Sequence, residues 1–111
     1  RKNELLNLRA STDKNALIGY KTIAYELEHE AKFSDGIFIP SSSGTAALGI
    51  AMGFEDIGIK IPIYICQTTK IHSIASEFDS DFSSTKTSFA DAIVDRVALR
   101  KKELKKVIIE F

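Results

Sequence analysis

The chain has 111 residues, 44% of them apolar and 27% charged, a globular balance that excludes a disordered protein and suits one small domain with a single core. Fifteen Lys and Arg cancel fifteen Asp and Glu, so no global field draws in nucleic acid or an anionic membrane, and any anion recognition is local. The single cysteine, Cys66, excludes an internal disulfide and a tetrahedral cysteine metal site.

The sequence begins at Arg1 without an initiator methionine and stops at Phe111 directly after the apolar run "VIIEF", so both ends are expected to be cuts from a longer protein. Residues 1–18 mix charges with the turn-formers of "RASTDKNAL" and read as an irregular or partly helical lead-in. From Gly19, "GYKTIAYELEHEAKF" puts Ile23, Leu27 and Ala31 on one stripe with Tyr20 and Ala24 beside it, which predicts an amphipathic helix with Lys21, Glu28 and Lys32 outward. Lys21 reads as a solvated helix lysine. "SDG" is a stop, and Ile37-Phe38-Ile39 is short, apolar and bounded by turn signals, as a buried strand is.

A loop, Pro40–Ser43, leads from that strand into a helical pattern from about Gly44, "TAALGIAMGFEDIGI". Interior glycine costs a helix about 1 kcal/mol, so Gly49 and Gly53 among the alanines predict tight packing against a neighbour. "KIPIYICQ" is the next strand, apolar on both faces as in a parallel sheet covered by helices on either side. Cys66, at its end, reads as a small buried hydrophobe. "KIHSIASEF" predicts a short helix with Ile71, Ile74, Ala75 and Phe78 inward, "DSDFSSTKT" a polar loop, and "SFADAIVDRVALRKKELKKVIIEF" one long helix or one broken near Val97. The basic run Arg96–Val107 lacks interleaved aromatics and reads as a solvated face. The longest apolar runs fall far short of the roughly 20 residues of a membrane span, and the N-terminus is too polar for a signal peptide. A cytoplasmic protein with no membrane and no nucleic-acid partner is the expectation.

Helices alternating with apolar strands predict an α/β fold, a three-layer αβα arrangement with a small parallel sheet and right-handed crossovers. Ligands in such sheets sit beyond the carboxyl ends of the strands, which is where the serine-rich loop lies. The hydroxyls of Ser41, Ser42, Ser43 and Thr45 and the backbone N–H groups of Gly44, Thr45 and Ala46 are suited to a phosphate nest at the positive end of a helix dipole. A plain helix cap after a strand is the competing reading. No lysine follows the glycine, so this is not the Walker pattern, and there is no G-x-G-x-x-G. His29 lies on a charged helix face and His72 beside a strand end, neither with an identifiable nucleophile; no Asp, Glu, His or Cys spacing suggests a metal.

Three patterns give the chain a resemblance to the threonine synthase branch of the fold type II pyridoxal-phosphate enzymes, which include cysteine synthase and the tryptophan synthase β chain. "GYKTIAYEL" at 19–27 resembles that family's "G-x-K-T-x-A-x-E" helix, "IPSSSGTAALGIAMGF" at 39–54 its phosphate-loop strand, turn and helix, and "TSFADAI" at 87–93 its "T-x-A-D-A-I" segment. "IPIYICQ" stands where the family has a strand ending in "V-Q", and order and spacing are kept from Gly19 to Ile93, roughly two thirds of the chain.

The resemblance implies that residues 19–111 are part of a cofactor-binding domain, with pyridoxal 5'-phosphate held through its phosphate by Ser42, Ser43, Gly44, Thr45 and Ala46. It implies a parent lyase of amino-acid metabolism that performs β- or γ-replacement or elimination on an amino-acid substrate. The lysine that forms the family's Schiff base comes from a segment with no match here, so the piece is expected to bind the cofactor weakly or not at all and to be inactive alone, with no catalytic residue of its own. An incomplete sheet also predicts exposed apolar surface, and with it self-association into a homo-oligomer. The alternative is a non-catalytic α/β module that binds a phosphorylated ligand or a partner protein; a flavodoxin-like receiver or nucleotide domain lacks its acidic cluster or glycine fingerprint.

Overall fold

The computed structural model describes residues 7–78 and 88–109. Asp13 opens the first helix, α1 (Lys14–Glu26), by accepting the N–H of Asn15 on its carboxylate at 2.9 Å. The lead-in is thus partly helical among the described residues: the helix starts five residues before Gly19, because the N-cap aspartate outweighs the turn-formers around it. Leu27 leaves helical geometry for one residue, and α2 (Glu28–Ala31) follows as a single turn. Two short strands pair in parallel, β1 (Ile37–Pro40) with β2 (Ile63–Cys66), Ile37 opposite Ile63 and Ile39 opposite Ile65. Between them runs α3 (Thr45–Asp56), the crossover that a parallel pair requires. After β2 the chain makes 3-10 turns at Ala75–Glu77 and Asp91–Ile93 and closes with α4 (Lys101–Ile109).

The small parallel sheet with helices around it is the arrangement of an αβα domain. Its core is the seam between α1 and α3, where Leu17 and Ala24 meet Ala47, Leu48, Ile50 and Phe54. Glycine makes that seam close: a Cβ on Gly53 would stand 2.7 Å from Ala24 Cβ and 2.7 Å from the Lys21 carbonyl, and one on Gly49 would collide with Tyr20. The tight packing expected of Gly49 and Gly53 is thus present. Ile37, Ile39, Ile63 and Ile65 turn toward this core, and Leu104 of α4 joins it. Phe38 and Tyr64 point the other way, stacked at 4.7 Å between ring centroids and exposed.

Several local expectations are corrected. Cys66 shares the outward register of Phe38 and Tyr64 and is exposed, not a buried hydrophobe. Lys21 is not simply solvated: its ammonium donates to Asp56 at 2.7 Å, and Tyr25 donates to the same carboxylate oxygen at 2.8 Å, bracing α1 against the end of α3. Ile71 and Ile74 are buried as expected, but Phe78 is exposed, and only a 3-10 turn forms in the predicted helix over 71–78. The basic run is not wholly solvated either, since Ala98, Arg100 and Leu104 are buried. The expected polar loop, 79–87, lies outside the described residues. Among those residues no helix is long and apolar enough to cross a membrane, and no three His, Cys, Asp or Glu side chains gather as metal ligands.

Candidate functional site: the loop between β1 and α3

The end of β1 is tied down before the loop begins. Ser41 N–H donates to the Cys66 carbonyl at 2.9 Å, and the Ser41 carbonyl accepts from Gln67 Nε2 at 3.3 Å. Gln67 is a bracket, its side-chain oxygen accepting the N–H groups of Ile74 and Ala75 at 3.0 Å each. The loop thus leaves the carboxyl edge of the sheet with its first residue fixed from the neighbouring strand and from the segment beyond it.

Gly44 turns the chain into α3. Its φ of 87° and ψ of 1° lie in the left-handed region, open to glycine and costly for side chains. A Cβ there would also collide with Leu104 Cδ1 and meet Ile74 Cδ1 at 3.5 Å. Glycine is therefore required at this position twice over, by conformation and by space.

At the start of α3 the first intrahelical bond is Leu48 N–H to the Gly44 carbonyl at 3.0 Å. Before it, Thr45 N–H reaches only Ser43 Oγ at 3.4 Å, and the N–H groups of Gly44, Ala46 and Ala47 meet no acceptor among the described residues. Such first-turn amides carry the positive end of the helix dipole. The hydroxyls lie beside them: Ser43 Oγ and Thr45 Oγ1 share a hydrogen bond at 2.9 Å, and Ser42 Oγ accepts from Asp95 N–H at 3.0 Å and keeps its own proton for donation. Gly44 and Thr45 are buried; Ser42, Ser43 and Ala46 are half-buried. The five residues expected to bind phosphate are consecutive and span the turn into α3.

The far wall of the loop comes from residues that local sequence patterns did not single out. Arg100 N–H donates to the Ser43 carbonyl at 3.2 Å, and Ser73 Oγ donates to the Asp95 carbonyl at 2.7 Å. The Asp95 carboxylate, which would repel an anion, faces the Arg9 guanidinium at 3.8 Å. The i, i+3 spacing of Leu104 and Val107 was the available signal, masked by the lysines between them. An open groove of about 330 Å³ at the end of β2 is lined by Ile65, Gln67, Thr68, Thr69, His72 and Ala75. His72 lines it with Nδ1 3.2 Å from the Thr68 carbonyl, while His29 lies away on α2 with its ring 5.3 Å from that of Phe33.

A protein-family model described as pyridoxal-phosphate dependent enzyme matches residues 1–109, nearly the whole chain and including the lead-in. No curated protein and no solved structure matches the chain.

Proposed function

We propose, from the premise that this chain belongs to the pyridoxal-phosphate dependent enzyme family, that its loop from Ser42 to Ala46 holds the cofactor phosphate. In this reading residues 19–111 contribute to the cofactor domain of a threonine-synthase-like lyase that performs β- or γ-replacement or elimination on an amino acid. Pyridoxal phosphate is the cofactor of the family and, when bound, supplies an electron sink for the carbanion chemistry of its substrates.

The reading is carried by one observation: a left-handed glycine, with no room for a Cβ, followed by first-turn amides that meet no acceptor. A phosphate fits this constellation because its oxygens accept from several N–H groups at once, and its charge is favoured at the positive end of α3. Ser42, Ser43 and Thr45 would add hydroxyl donors, while buried Thr45 and Ala47 keep the inner side of the loop dry. Binding and orientation are the work these residues can do. Neither a proton transfer nor a covalent step is assigned to them, so the described part is proposed to be inactive alone.

An amide NMR titration with inorganic phosphate and then pyridoxal phosphate tests this. Saturable shifts confined to Ser42–Ala47, tighter for pyridoxal phosphate and abolished by Gly44→Ala, are the expected result. No shift at millimolar ligand would reduce the loop to a helix cap. Equal response to every phosphorylated ligand would favour a non-catalytic phosphate-binding module.

A further inference from the structure

We infer that Leu104 is a positioning residue for the phosphate loop, and that the segment from Asp95 to Leu104 is the wall that holds this loop ready for an anion. The inference rests on the proposed role of Ser42–Ala46 and adds the element through which that role is sustained. Three contacts reach the loop from this one segment. Asp95 N–H donates to Ser42 Oγ at 3.0 Å, Arg100 N–H donates to the Ser43 carbonyl at 3.2 Å, and Leu104 occupies the space beside the Gly44 Cα.

Each contact takes a group of the loop that an anion does not need. The Ser43 carbonyl is an acceptor, which would repel a phosphate oxygen, and Arg100 N–H engages it. Ser42 Oγ accepts Asp95 N–H through a lone pair, so its proton stays available. Leu104 excludes side-chain atoms from Gly44 and packs against the left-handed turn, without which a glycine populates many backbone conformations. The N–H groups of Gly44, Ala46 and Ala47 remain without acceptors among the described residues.

The segment is itself anchored. The Arg100 guanidinium, in a residue only 6% exposed, donates to the Asp13 carbonyl at 3.0 Å and to Glu103 at 3.0 Å, and Lys101 Nζ donates to Ser76 Oγ at 2.9 Å. Leu104 N–H closes the first turn of α4 on the Arg100 carbonyl at 2.9 Å. A binding loop is only as well placed as the shell that supports it, and here that shell lies about sixty residues later in the chain.

Leu104→Ala, with Leu104→Met as the volume-conserving rescue, tests the inference by amide hydrogen exchange without ligand. The reporters are the three bonded amides of Leu48, Asp95 and Arg100; the controls are the helix-interior amides of Ala24 and Gly53. The expected result is exchange faster by about tenfold or more at the reporters, little change at the controls, and restoration in Leu104→Met. Phosphate affinity should fall by a similar factor and recover with the same rescue. Unchanged reporters in folded Leu104→Ala, or equal acceleration of reporters and controls, would overturn the inference. If Leu104→Ala does not fold, Leu104→Val is read in the same way. Because the exchange readout needs no ligand, a chain that fails to bind phosphate sinks the proposed function while leaving the positioning result separately legible.

Discussion

Asp56 shows how much one exposed carboxylate can organise. It accepts from Lys21 and Tyr25 through a single oxygen, and the hydrogen bond from Lys21, followed by that from Tyr25, holds its carboxyl below the usual aspartate range. The bond to Asp56 likewise raises the Lys21 ammonium and the Tyr25 phenol above their usual values. The signs give a window. The lowered Asp56 contributes stability above the ordinary carboxylate pKa of about 4 that is lost as pH falls through its depressed value. The raised Lys21 and Tyr25 contribute stability below their ordinary values of about 10 that is lost as pH rises through the elevated ones. Asp56→Asn should therefore lower the melting temperature most in the midrange and converge with the parent protein at both extremes of pH, flattening both limbs of a plot of melting temperature against pH; identical slopes in the two proteins would show that the triad does not contribute. Local pattern could not expose this pairing, because Lys21 and Asp56 are 35 positions apart and each looks like an ordinary surface charge beside its own neighbours.

At the scale of elements, the seam between α1 and α3 turns on glycines that differ in what surrounds them. Gly19 has nothing within 4 Å of where a Cβ would stand, whereas Gly53 has Ala24 and the Lys21 carbonyl at 2.7 Å. Gly19→Ala should stabilise the protein by about 0.5–1 kcal/mol through helix propensity. Gly53→Ala should cost about 1–3 kcal/mol from overpacking despite the same gain in propensity. Urea unfolding of the two variants checks the opposite signs. The small residues of α3 and the apolar runs of both strands were legible because their chemistry is local and periodic. The predicted helix over 71–78 was not, because side chains compete for its backbone: Thr68 Oγ1 accepts the N–H of Ile71, and Gln67 takes those of Ile74 and Ala75. Hydrophobic spacing alone does not register such diversions.

Across the whole molecule, Arg100 joins the last helix to the start of the first, donating to the carbonyl of Asp13, 87 positions away. Among the described residues its buried Nε meets no hydrogen-bond partner, as is also true of Ser11 Oγ. Arg100→Met should cost about 1.5–3 kcal/mol, the range for a hydrogen bond to a charged group, read as a lower urea midpoint with an unchanged slope. A basic run read one residue at a time suggests a solvated face; burial of Arg100 and Leu104 follows from where the chain returns, which no local pattern contains. The candidate site divides in the same way. The glycine, the hydroxyls and the strand-to-helix order could be read directly from residues 39–54, while the wall from Asp95 to Leu104 depends on tertiary return.

That division has a consequence during biosynthesis. A ribosome adding about 5–20 residues per second releases the serine-rich turn and the helix after it several seconds before Leu104. During that interval the nascent turn carries its full motif with nothing behind it, and Gly44 is free to sample the conformations that the finished protein forbids. The proposed phosphate loop is thus made well before the segment that gives it its shape.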